Sequence, residues 1–374
     1  MPVRPQRLPR LFHHCLLRPG DVPPSQDDLK VVGAFNPGAV ETPEEVVLLV
    51  RVAEAAREQR AGYVALPRWD RGANRVVLDW FTEDEVEFED ARVVIVKSTG
   101  RKRLTSVSHF AVCRSRDGRT LDAVGPIRFL PASESEEYGV EDARITPLEG
   151  RFYFTYVAVS RHGVATALAS TGDFKTFERH GILFPPENKD VVLFPETIGG
   201  RYMALHRPNP AQHFSPPEMW LASSPDLLHW GGHRPFFGST GDWDRGRVGA
   251  GTPPIRTSAG WLEIYHGNDR RPNDTGIGTY SAGALLLNLD DPSRIRAALS
   301  EMLVPEADYE REGFVPNVVF PTGVVTRGSS LLVYYGAADE CCAVAEWRLP
   351  DLLSRLLETS QTPEAGRFGS ASST

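Results

Sequence analysis

The stretch GVEDARI (Gly139–Ile145) sets a carboxylic acid, Asp142, between Glu141 and Arg144, and an earlier near-copy, EFEDARV, does the same with Asp90. An Asp close to an Arg is in most proteins an ion pair of small energetic worth. A repeated EDAR therefore reads first as architecture, with one copy open to recruitment for chemistry. NKDVVLFPETIGGRYMALHRP (Asn188–Pro208) places Lys189 and the pair His206–Arg207 around an apolar run and a Gly-Gly turn. Arg245 and Arg247 precede the glycine-rich bend of DRGRVGAGTPPI, His266 lies at the end of GWLEIYHG, and Asp339 closes YYGAAD. Each has a plain alternative, such as a satisfied core histidine or an arginine whose stem packs on apolar surface. Cations gathered at the ends of short apolar runs nevertheless suit one task, holding an anion by charge-assisted hydrogen bonds. The glycine-rich bend lacks the lysine of a nucleotide-binding loop. There is no GxSxG or HExxH motif, and no HxxxH pair with further ligands, so serine-hydrolase and metal chemistry have little support and no metal site is expected.

Such residues need a frame to converge. The 33 Gly and 30 Pro are scattered, and between them lie apolar runs of strand length: VVLLVRVAE, RFYFTYVAVS, RYMALHRP, GWLEIYHG and LLVYYGAAD. These runs are rich in Val, Tyr, Phe and Leu and bounded by turn residues, which predicts β-strands. EEVVLLVRVAEAAREQR reads as strand then loop. Near the C-terminus, Leu352, Leu353, Leu356 and Leu357 fall at helical spacing, and Pro350 precedes them where it does little harm. VCRSRDGRTL, ALASTGDFKTF and WLASSPDLLHW share a pattern: a strand end, small residues, an Asp in a turn, a new apolar residue. Recurrence of several strands every roughly 40–50 residues is the mark of a β-propeller, here of roughly five to six blades. A β-sandwich with coincidental turns is the alternative.

The bulk numbers bound the rest. A chain of 374 residues accommodates two ordinary domains or one large all-β domain. A net charge of −8 argues against a nucleic-acid surface, so any cationic site must be local. The cysteines, Cys15, Cys113, Cys341 and Cys342, contain no CxxC pair, which is neither a zinc pattern nor a disulfide framework and fits a reducing cytoplasm. The N-terminus has positive charge but no long apolar core, so no secretory signal is expected, and no apolar window is long enough for a membrane span. The polar, small residues 359–374 read as a disordered tail.

VGAFNPGAV…LLVRVAE, YGVEDARI, PENKDVVLFPE, LHRP, RVGAGTPPI…GWLEIYHG, GALLLNLDDP and GFVPNVVFPTGVV…LLVYYGAAD follow one another in an order that resembles glycoside hydrolase family 130, the mannoside phosphorylases and their hydrolase relatives. The resemblance spans about Val31 to Glu346. It implies an all-β, five-bladed β-propeller over residues 31–346, after an N-terminal extension (1–30) and before a short C-terminal helix (347–358). It also implies inverting phosphorolysis of β-mannosides, with α-mannose 1-phosphate as product, inorganic phosphate as co-substrate and no cofactor. Phosphate is already an anionic nucleophile, so such a site needs one carboxylic acid and a cationic cradle rather than two catalytic carboxylates. By the resemblance, Asp142 is the general acid, acting through the mannose 3-hydroxyl. Asn188, Lys189, Arg207, Arg247 and His266 hold phosphate, and Asn36, Arg51, Asp339 and His206 line the sugar site. The β-1,2-mannoside branch is nearest, since VGAFNPGAV, LTSVSHFAVCRSRDG and PENKDVVLFPE look most like it. Thr197, Ser258–Ala259 and Ala143 depart from common family residues, and none of them removes a proposed phosphate ligand. The partners implied are a β-mannoside and phosphate, without nucleic acid or membrane; oligomeric state is not legible. The competing readings are an inverting β-mannosidase on the same fold and a non-catalytic sugar-binding propeller.

Overall fold

The computed structural model describes residues 7–209, 214–271, 274 and 276–360. Among them the chain is built almost wholly of antiparallel strands, most of which pair in successive runs of four or five. One run is Leu29–Glu41, Val46–Ala56, Val107–Ser115 and Ala123–Phe129; the next is Gly139–Leu148, Arg151–Ser160, Gly163–Thr171 and Glu178–Phe184. Asn188–Leu193, Tyr202–Pro208, Met219–Ser224 and Gly231–Phe237 form the third. Arg247–Ala250, continued by Ile255–Thr257, begins the fourth, followed by Gly260–Asn268, Tyr280–Leu287 and Ile295–Leu303. The last consists of Val319–Arg327, Ser330–Ala337 and Cys341–Arg348, and its outer strand is Phe12–Leu17 from the other end of the chain. Within the N-terminal stretch, Phe12–Leu17 is thus a paired strand of the sheet.

Strand alternation explains how the runs stack. In Val46–Ala56, Val46, Leu48, Val50 and Val52 enter an apolar cluster with Leu332, Tyr334 and Val344, while Val47 and Leu49 enter another with Phe110, Val140 and Phe154. A strand buried on both faces reads as a continuous apolar run, which VVLLVRVAE is. Leu331 and Val333 face a cluster with Leu262 and Ile264, Trp261 and Tyr265 face one with Leu205 and Val192, and Leu168 faces one with Ala204 and Val191. Each of these clusters lies between two runs.

The three Asp-bearing repeats all fall at the turn from a third strand to a fourth. Asp117, Asp173 and Asp226 accept backbone N–H bonds from Arg119 and Thr120, from Lys175 and Thr176, and from Leu228 and His229. This is an Asx-type turn used in three successive runs. The two EDAR copies are not equivalent. Asp142 lies inside the first strand of a run, whereas Asp90 sits in a turn of a small three-stranded unit (Val86–Phe88, Val93–Val96, Arg101–Leu104). That unit and the hairpin Tyr63–Asp70/Arg75–Thr82 are inserted between Val46–Ala56 and Val107–Ser115. The EDAR spacing therefore reflects an insertion, not the period of the fold.

Helix Leu349–Ser360 carries the expected leucines, with Leu352 and Leu356 fully buried against the cluster around Val333 and Trp347. Of the tail read as disordered, residues 361–374 lie outside the described residues. Among the described residues no helix is long and apolar enough to cross a membrane.

Candidate active site

In an antiparallel run, the start of the first strand lies beside the end of the second. Most residues picked from the sequence fall near these places, Asp142, Asn188, Lys189 and Arg247 on first strands, Arg207 and His266 on second strands and Asp339 in the turn just after one, while Asn36 and Arg51 lie midway along the first and second strands of their run. A cavity of about 630 Å³ opens at that end, and its wall includes Asn36, Arg51, Asp142, Lys189, Arg207, Arg247 and Asp339. The inserted unit contributes Glu89, Asp90 and Arg92 to the same wall.

A local irregularity aims the key side chains. The first strands skip register between Phe35 and Gly38, between Glu141 and Arg144, and between Lys189 and Val192. At each skip one residue has a positive φ: Asn36 (47°), Asp142 (54°) and Asp190 (55°). Asn and Asp are the side chains other than glycine that tolerate this left-handed conformation best. Bulges of this kind break strand alternation. Consecutive residues (Phe35–Asn36, Glu141–Asp142, Lys189–Asp190) accordingly reach one wall.

Asp142 is buried, and its Oδ1 accepts from Asn36 Nδ2 (2.8 Å) and Arg51 Nη1 (3.0 Å). Arg51 also pairs with Glu141 (2.7 Å) and donates to Ser108. Gly336 makes room for Asn36, since a Cβ there would lie 1.8 Å from Asn36 Oδ1. Behind Asp142, Arg144 donates to the Asp142 carbonyl (2.9 Å) and pairs with Asp190 (3.1 Å). Asp190 in turn pairs with Arg207 (2.6 Å), and His266 Nε2 lies 3.4 Å from the same Asp190 oxygen. Gly249 permits that approach, since a Cβ there would fall 2.7 Å from both His266 Nε2 and Asp190 Oδ2. Lys189 and Arg247 differ from these paired cations. They line the cavity, and among the described residues neither has a carboxylate within ion-pair distance. Arg247 Nε is buried with no hydrogen-bond partner.

Not every predicted residue reaches the wall. His266 is fully buried behind Asp190. His206 alternates with Arg207 along its strand, so its ring turns away and stacks on Phe184 (centroids 4.7 Å apart). Asn188 Nδ2 donates to His206 Nδ1 (3.0 Å), and Asn188 is likewise absent from the wall. These three support the site from the layer behind it. Sequence reasoning assigned no site role to Glu141 and Arg144, which it set beside Asp142 as an ion-pair context, and did not single out Asp190 or Arg92. A usable signal was present: Asn or Asp inside an apolar first strand, in FNPG, EDAR and KDVV, is disfavoured as strand and recurs at the bulge.

The charges bias each other. Burial works to raise Asp142, but Arg51, Arg144, Asn36 and Lys189 outweigh it and leave the carboxyl below its usual range. Burial pushes Asp339 up, against Arg92 and Arg51. Asp190 is held well below the carboxylate range because Arg207, His266 and Arg144 overcome its burial. Burial lowers Lys189, with Glu141 and Asp190 opposing. It lowers His266, against Asp190, and it brings His206 down to about 3, so the His206 ring is neutral near pH 7.

The model of the family described as beta-1,4-mannooligosaccharide phosphorylase, glycoside hydrolase family 130, matches residues 101–358. The chain belongs to this family. It is 40% identical to the beta-1,2-mannobiose phosphorylase of Listeria innocua over 353 residues, which are 93% of this chain and 98% of that protein. A 1,2-beta-oligomannan phosphorylase of a Thermoanaerobacter species is 36% identical over 251 residues, 66% of this chain and 80% of that one. The solved structure of the Listeria innocua enzyme with beta-1,2-mannobiose superposes with a TM-score of 0.84, covering 91% of this chain and 96% of that one. The bulge carboxylates and the cations described above are thus those of a family 130 member.

Proposed function

We propose that this chain is an inverting phosphorylase of β-mannosides, acting on β-1,2-linked mannobiose or mannooligosaccharides, and that its runs of strands are the blades of a closed five-bladed propeller. The ring is supported by the apolar clusters, because the run that contains Phe12–Leu17 packs both on the run beginning at Leu29 and on the run beginning at Arg247. The β-1,2 linkage follows the relative matched over nearly its whole length. The free cysteines suit a reducing compartment, and we place the enzyme in the cytoplasm.

One observation carries the reaction: among the described residues, Lys189 and Arg247 stand without a carboxylate partner on the cavity wall that also carries Arg207, which Asp190 locks in place. Together with Asp142, that is the equipment of phosphorolysis. Lys189, Arg207 and Arg247 hold the phosphate dianion in line with the anomeric carbon, and Asn36, Arg51 and Asp339 hold the mannose unit. A phosphate oxygen bonds to C1 as the glycosidic C1–O bond breaks, inverting the centre. Asp142 gives its proton to the mannose 3-hydroxyl, which passes its own proton to the leaving oxygen. The products are α-mannose 1-phosphate and the shortened sugar. Before phosphate arrives, cations hold the Asp142 carboxyl down. A bound dianion offsets those cations and raises Asp142 toward the protonated form that the step needs.

A hydrolase on this fold would need a second carboxylate to activate water, and the unpaired cations would have no task. The deciding experiment is β-1,2-mannobiose consumption with and without phosphate, followed by phosphorus and proton NMR. Phosphate-dependent formation of α-mannose 1-phosphate is expected. Equal consumption in phosphate-free buffer, giving mannose alone, would establish the hydrolase instead.

A further inference from the structure

The group left over by this chemistry is Glu263, in the middle of strand Gly260–Asn268 and fully buried. Its Oε1 accepts the backbone N–H of Gly251 (3.1 Å), which is shared with the Ile264 carbonyl (3.1 Å); among the described residues its Oε2 is buried without a partner, as is the hydroxyl of the next residue, Thr252. No cation pairs with this carboxyl among the described residues. The Gly251 carbonyl accepts from Arg144 Nε (3.2 Å), and the two remaining nitrogens of that guanidinium bind the Asp142 carbonyl and Asp190. Gly251 is packed closely on the side a Cβ would occupy, where that atom would meet the Ile264 carbonyl at 2.4 Å and Pro321 at 2.9 Å. A continuous chain of hydrogen bonds therefore runs from Glu263 through the Gly251 peptide and Arg144 to both the proposed acid and the anchor of Arg207.

We infer that Glu263, held as an uncharged carboxylic acid, is a positioning residue that fixes the Gly251 peptide and through it the Arg144 guanidinium that sets Asp142 and Asp190. An ionised carboxylate buried without a cation is too costly to persist. In agreement, burial pushes Glu263 up to about 8, against the Gly251 N–H and Arg144. The groups acting on it are the N–H of Gly251 from the bend after Ala250 and Arg144 from strand Gly139–Leu148, and it in turn helps to raise Tyr265 on its own strand. Loss of the proton at alkaline pH places a full negative charge behind Arg144. That charge competes with Asp190 and the Asp142 carbonyl for the guanidinium, and the acid and the phosphate anchor lose their register together.

The inference rests on the phosphorolytic reading only for its activity arm, and stability measurements test it independently. An ordinary Glu ionises near 4.5 when unfolded while this one stays protonated to about 8. The folded state therefore binds the extra proton between those values, and stability falls as pH rises through that window. Glu263→Gln keeps the shape and neutrality, so its melting temperature relative to wild type is expected to climb from pH 5 to pH 8. In kinetics, wild-type kcat should decline above about pH 8, Glu263→Gln should retain neutral-pH turnover with that limb moved upward, and Glu263→Leu should lose roughly ten- to a hundredfold in kcat. A melting-temperature difference between wild type and Glu263→Gln that is constant with pH overturns the uncharged acid. An alkaline limb unmoved in Glu263→Gln assigns that limb to another group, Lys189 foremost, and overturns the link to the site. Full activity in a folded Glu263→Leu overturns the positioning role.

Discussion

At the scale of single residues, identity of type does not mean identity of role. Asp142 and Asp90 share the EDAR context, yet Asp142 sits on a bulge facing Arg51 while Asp90 closes a turn by accepting the N–H groups of Arg92 and Val93. Asp142→Asn is expected to lower kcat by about 10²–10⁴-fold, the usual worth of a general acid, with the protein still folded. Asp90→Asn keeps an acceptor for the turn and should cost no more than about 1 kcal/mol of stability, with turnover near wild type. Kinetics and melting temperature measured on both variants check this, and a reversed pattern would move the acid to the inserted unit. The cations also differ. Arg207→Ala leaves Asp190 buried beside a lost partner, a change worth about 3–5 kcal/mol of stability, so its kinetics would be clouded. Arg247, which has no such partner, is the cleaner probe. Arg247→Ala should raise the KM for phosphate roughly ten- to a hundredfold with little change in that for mannobiose, as initial rates at varied phosphate would show.

At the scale of elements, the two ends of the chain are held together in one run of strands. Phe12–Leu17 covers the edge of Cys341–Arg348, and just before it Arg10 reaches the fully buried Glu310, which also accepts from Tyr335 and from the N–H groups of Glu306 and Ala307. Burial would raise Glu310, but Arg10 outweighs it and the carboxyl stays low. Arg10→Ala removes the cation from a buried pair and is expected to cost about 3–5 kcal/mol, read as a fall in denaturation midpoint at pH 7. Because a depressed carboxyl stabilises the fold above its unfolded pKa and loses that contribution as pH falls, the gap between wild type and variant should shrink below about pH 4. A gap that stays constant into acid would mean that Arg10 acts by packing alone. The inserted unit shows the other use of an element. It leaves the strand pairing of its host run undisturbed and brings Arg92 within 3.5 Å of Asp339 on the cavity wall.

At the scale of the molecule, ligand and fold are linked. A dianion that binds the folded cavity stabilises the whole chain by mass action, about 2.7 kcal/mol at a hundredfold excess over Kd. Phosphate alone should therefore raise the melting temperature of wild type in a saturable manner, and it should do so far less for Arg247→Ala. Equal shifts in both proteins would place the anion elsewhere.

Much of this protein was legible before folding was considered. Alternation and turn chemistry are local, so VVLLVRVAE, the Asp turns at Asp117, Asp173 and Asp226, and the helix of Leu352 and Leu356 were readable from neighbouring residues. The ordered motifs likewise indicated the family and nominated Asp142, Lys189, Arg207 and Arg247 for the site. Tertiary structure alone decided which face each nominee shows. Plain alternation along Tyr202–Pro208 turns Arg207 to the cavity while His206 stacks on Phe184, and the bulge in the neighbouring strand Asn188–Leu193 lets both Lys189 and Asp190 reach the wall. It also decided which cations are already neutralised. Asp190 claims Arg207 and Arg144 through contacts spanning 17 and 46 residues of chain. The unpaired state of Lys189 and Arg247 is a property of the assembled sheets, because ion pairing depends on distances that only those sheets set.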